Sequence, residues 1–80
     1  MDTHAETAAA ELLARRWLIQ IRALLEEATS YAKAADLCAA SGNVDGAVKI
    51  VMDFEDPAFR AQETFKALLL LKREYTVDPE

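Results

Sequence analysis

AELLARRWLIQIRALLEEATSYAKAADLC, residues 10–38, carries an apolar residue at every third or fourth position. Ala10, Ala14, Trp17, Ile21, Leu24, Ala28, Tyr31, Ala35 and Cys38 are separated by alternating steps of four and three. An α-helix turns once in about 3.6 residues, so this spacing returns every one of them to the same side. The result is a heptad seam four heptads long. Leu13, Leu18 and Leu25 widen the stripe, as in a helix packed against neighbours rather than in a narrow two-stranded coil.

The seam extends into its surroundings without interruption. Between Thr3 and Ala40 there is neither glycine nor proline, the two residues that most disfavour a helix interior. Thr3 and Glu6 have the spacing of a capping box, in which each side chain satisfies the other's unpaired backbone donor. One helix from Thr3 to about Ser41 is expected, roughly 55–60 Å long at 1.5 Å per residue. Thr29-Ser30 leaves an alternative open, because either residue could cap a new helix starting at Tyr31. The unbroken seam across that point favours continuity.

Gly42-Asn43 ends the long segment, with the glycine suited to the left-handed position after the last turn and Asn43 to a turn or the next N-cap. A second helix is expected over Val44–Phe54, with its stripe at Val44, Ala47, Val48, Val51 and Phe54. Asp56 then reads as an N-cap and Pro57 as a first helical residue, where its missing N–H costs nothing. A third helix is expected from Pro57 to Glu74, with Lys72 and Arg73 complementing the dipole of its last turn. Leu68 to Leu71 are four consecutive leucines and point in four directions. They cannot all face one neighbour, so this helix should touch both the first helix and a partner chain. Residues 76–80 read as a frayed tail, which leaves 1–75 as a single helical domain.

Composition narrows the function classes. The chain has 80 residues, 52% of them apolar, which is too many for a disordered segment. A core of this size is marginal, and small chains usually add disulfides, a metal or a partner. Cys38 is the single cysteine, so an intrachain disulfide and a cysteine-rich zinc site are both excluded. That leaves helix packing and association. The net charge of −5 disfavours nucleic acid and anionic membranes, which require clustered Lys and Arg. The N-terminus reads without a secretory leader. The longest aliphatic run, Ala67–Leu71, is too short to cross a bilayer. With one unpaired cysteine, the cytoplasm is the expected compartment.

No constellation of catalytic or metal-binding residues emerges. His4, the single histidine, reads as a solvated residue without a second histidine or cysteine at ligand spacing. Cys38 lies on the seam and reads as structural. Glu26-Glu27 and Asp53-Glu55-Asp56 read as solvated acidic faces, and no calcium-loop spacing is present. Arg15, Arg16 and Arg22 form the main basic patch. Glu11 and Glu26 stand four residues from Arg15 and Arg22, which suits intrahelical ion pairs, and docking to an acidic partner is the alternative.

Residues 31–57 resemble a single tetratricopeptide-repeat hairpin. Tyr31 takes the place of that family's first large aromatic, and Ala34-Ala35 the pair that follows. Gly42-Asn43-Val44-Asp45-Gly46-Ala47-Val48 resembles its turn and second-helix start, and Asp56-Pro57 its closing dipeptide. Phe54 stands where a small residue is usual, and Gly42 to Pro57 is about two residues short. The resemblance implies protein–protein interaction. Leu37, Cys38, Gly42, Val48 and Val51 also resemble a helix-turn-helix. There the second helix region would bring Asp45, Asp53, Glu55 and Asp56 against the single Lys49, a poor surface for phosphates.

The sequence therefore predicts an all-α protein: a three-helix bundle with a long first helix and an antiparallel helical hairpin, with a dimer as a candidate assembly. Its expected role is a non-catalytic protein–protein interaction module, such as an adaptor, an assembly chaperone or a complex subunit. The alternatives are a homodimer joined along the first helix's seam and, further off, a helix-turn-helix DNA binder. The expected interaction surface is Trp17, Ile21, Leu24, Tyr31, Leu70, Leu71, Arg15 and Arg22. A protein partner is expected, with no cofactor, metal, nucleic acid, membrane or small-molecule ligand.

Overall fold

The computed structural model describes residues 3–75, with side chains over 6–74. Among them the chain is all-α and has no strand. Helix α1 runs Thr3–Ala40, α2 Val44–Met52 and α3 Glu55–Tyr75. Helix α1 passes through Thr29-Ser30 without a break. The Ser30 hydroxyl donates to the Glu26 carbonyl at 3.1 Å, and the flanking seam residues Ala28 and Tyr31 are buried and half-buried. Local capping chemistry thus loses to packing on either side of it. The Thr3/Glu6 capping box, the surroundings of His4 and the tail 76–80 lie outside the described residues.

The turn after α1 is a Schellman motif. Gly42 N–H donates to the Ala39 carbonyl at 2.9 Å and Asn43 N–H to the Cys38 carbonyl at 3.1 Å. Gly42 has φ +98, a backbone that side-chain-bearing residues rarely adopt. Asn43 then caps α2, its side chain accepting from Gly46 N–H at 2.8 Å. Three residues thereby reverse the chain.

The second junction is a bend. Asp53 N–H donates to the Ile50 carbonyl and Phe54 N–H to the Val51 carbonyl, at 3.1 and 2.9 Å. These tightened i to i+3 bonds finish α2 two residues before the expected Phe54. Helix α3 begins at Glu55 rather than Pro57, and Ala58 N–H donates to the Phe54 carbonyl at 3.1 Å. Asp56 is therefore inside the first turn, 3.8 Å from Arg60, and not its cap. Pro57 is fully buried in that turn, where the backbone donors have no intrahelical partner to lose.

Helices α2 and α3 both lie against α1 and meet each other only at their junction. They form one bent arm running back along the long helix. The molecule measures 62 × 21 × 17 Å, with a radius of gyration of 18.2 Å. A compact domain of 80 residues has about 12 Å. The accessible surface is 6376 Å², against about 4800 Å² for a typical monomer of this mass.

The core is thin. Its buried apolar residues are Leu24, Ala28, Ala35, Ala47 and Ala61, with Pro57 beside them. Four alanines let the helices approach closely, but a buried methyl contributes only about 0.8 kcal/mol. This chain gains little from its own interior.

Candidate interaction site

The seam of α1 faces the arm. Leu24, Ala28 and Ala35 are buried, and Trp17, Ile21, Tyr31 and Cys38 are half-buried. The chain's own α2 and α3 occupy the stripe on which Trp17, Ile21, Leu24 and Tyr31 lie. Leu71 is half-buried on α3, whereas Leu70 is 58% exposed. Arg15 and Arg22 are exposed. Arg22 Nε pairs with Glu26 Oε2 at 3.1 Å, the intrahelical contact its spacing suggested. The eight residues expected to form one surface thus divide between the interior and separate outer ridges.

The structure gathers a different set. Leu18 and Leu25 are 54% and 50% exposed. Each comes one residue after a seam position, Trp17 or Leu24, which places it about 100° further round the helix. On α3, Phe65 and Leu69 follow the half-buried Thr64 and Leu68. On α2, Val48 and Val51 follow the buried Ala47 and the half-buried Ile50.

This common offset has a geometric consequence. In two antiparallel right-handed helices, the same rotation along the chain from the facing residues leads to the same side of the pair. Leu18 and Leu25 therefore share a side with Phe65, Leu69, Val48 and Val51. Residues one step before the inward positions lie on the other side, where Arg16, Gln20, Glu27, Lys49, Arg60 and Glu63 alternate with the exposed Leu13, Leu37 and Leu70. One side of the molecule thus gathers six half-exposed apolar side chains from all three helices.

A second feature lies at the elbow. A cleft of about 490 Å³ is lined by Glu27, Tyr31, Met52, Asp53, Glu55, Asp56, Pro57 and Phe59. Four carboxylates around two aromatic rings would attract a cation. Among the described residues, however, no group of His, Cys, Asp and Glu could hold a metal ion. Cys38 Sγ sits 3.4 Å from the Asn43 carbonyl, with no base beside it in the described hydrogen bonds.

Sequence reading had recognised Leu18 and Leu25 as flanking residues but not as part of a surface. Their signal, one position past alternate seam residues, acquires meaning once the arm is known to run antiparallel along α1. Val48, on the expected stripe of the second helix, is 51% exposed, and Phe65 on α3 is 48% exposed. No helix among the described residues is long and apolar enough to cross a membrane. Comparison with family models, curated proteins and solved structures finds no match.

Proposed function

We propose that this chain is a small helical protein–protein interaction module without catalytic activity, acting in the cytoplasm. The observation that carries the reading is the apolar face. Scattered exposed leucines are ordinary on any protein, but six half-exposed apolar side chains that three helices bring to one side mark a surface that another molecule covers. The thin alanine core supports the same conclusion, since a chain that buries so little internally gains most from burying more against a partner. The hairpin of α1 and α2, resembling a tetratricopeptide unit, is compatible with this role. In this reading the helical bundle is completed by the partner.

The test is a photo-activatable residue placed in the host cell at Leu25, on the face, or at Ile19, on the outer ridge of α1. The expected result is one stoichiometric adduct from position 25 and none from position 19. Equal or absent labelling at both positions would overturn the reading.

A further inference from the structure

We infer that the occupant of the apolar face is a second copy of this chain, laid antiparallel across the first so that the two layers close into one bundle. The inference rests on the interaction-module reading and names its partner.

Three observations select this occupant. The first is area. The molecule measures 62 × 21 × 17 Å, so one long side projects roughly 1000 Å² or more, which leaves room for the about 800 Å² per partner of a standard interface. The second is placement. Helix α1 spans Thr3–Ala40, and Leu18 and Leu25 stand at equal distances on either side of its midpoint. A two-fold axis through that midpoint brings Leu18 of one copy against Leu25 of the other. This is the self-complementary pairing that an isologous dimer requires.

The third observation is charge. The half of the layer formed by residues 3–22 and 64–75 carries six Lys and Arg against three Glu, a net +3. The half formed by residues 23–63 carries three Lys and Arg against eight Asp and Glu, a net −5. An antiparallel pair places each basic end over the partner's acidic end. A parallel pair places like over like, which opposes association. Arg15 and Arg22 fall beyond the leucines in the direction of the outer ridge, so they rim the face with polar groups instead of interrupting it.

The experiment uses the purified full chain, by sedimentation and by spin-label distance measurement. The wild-type chain and Ile19→Asp are expected to be dimers. Leu18→Asp and Leu25→Asp should weaken the dimer about a hundredfold or more while keeping helical content. Because an Asp variant could unfold, Leu25→Ala is measured alongside and should weaken the dimer without loss of helix. Raising salt from about 50 to 500 mM should weaken it further, since the end-to-end attraction is screened. With a label at Ser41→Cys in a Cys38→Ser background, the antiparallel pair predicts an interprotomer distance of about 60 Å at 1.5 Å per residue. A distance below about 30 Å would overturn the antiparallel arrangement. A chain that stays monomeric overturns the second-copy inference. If the photo-activatable residue at Leu25 then labels a different protein, the interaction-module reading survives that failure.

Discussion

Helix α1 carries two apolar stripes one residue apart, and their fates differ. The seam stripe, centred on Trp17, Leu24 and Tyr31, is turned toward the chain's own arm. The stripe through Leu18 and Leu25 reaches the edge of that contact and remains half exposed. Both have heptad spacing, and leucines of the same size serve in each. What separates them is 100° of rotation, which is enough to take a side chain from a core of alanines to an open face. A heptad pattern thus identifies the face of a helix that is buried, while the width of the stripe indicates how many neighbours it requires. This stripe is wider than one arm can cover.

The comparison can be broken most directly at adjacent leucines. Leu24 is 5% exposed, so Leu24→Ala should cost about 3 kcal/mol, read by denaturant unfolding, at every protein concentration. Leu25→Ala should cost a comparable amount only where the chains are associated, and little on dilution. Equal losses from both at all concentrations would contradict the assignment of Leu25 to an interface. Next in size, Ala61→Leu adds bulk where α3 meets α1. It should lose about 2 kcal/mol, because the close approach has no room for three more carbons. The same change at exposed Ala23, away from the arm and from the Leu18/Leu25 face, should lose almost nothing.

The turn between α1 and α2 should show smaller effects. Gly42→Ala forces a side chain into φ +98 and should cost about 1 kcal/mol. Asn43→Ala removes the cap on Gly46 and should cost about the same. Thermal unfolding of both variants checks this. If either left the midpoint unchanged, the turn would not be fixing the reversal. Smallest of all, Arg22→Ala removes a solvent-exposed pair with Glu26 and should change stability by less than about 0.5 kcal/mol.

Much of the fold was legible because the sequence is locally consistent. The four-three spacing, the absence of glycine and proline through Ala40, and the Gly42-Asn43 pair all point to the same long helix and the same reversal. The second junction was less legible. Asp56-Pro57 looks like a helix start, yet proline is equally tolerated anywhere in the first turn, so the motif leaves the first residue unspecified by a position or two. The candidate face was the least legible part. Trp17, Ile21 and Tyr31 attract attention as anchors, but they are half-buried on the seam that faces the chain's own arm. The face depends on which side of α1 the arm leaves open, a property of two elements together that the periodicity of either one does not contain.

The central claim is that this chain stabilises itself substantially by covering its apolar side with another molecule, itself by preference. The most direct test is the denaturation midpoint of the purified chain, followed by circular dichroism from about 1 µM to about 1 mM. Association linked to folding predicts a midpoint that rises steadily with concentration, and a Leu25→Asp chain whose midpoint is low and flat. A wild-type midpoint that is independent of concentration, at a mass of one chain, would show that the thin core suffices alone and would contradict the account.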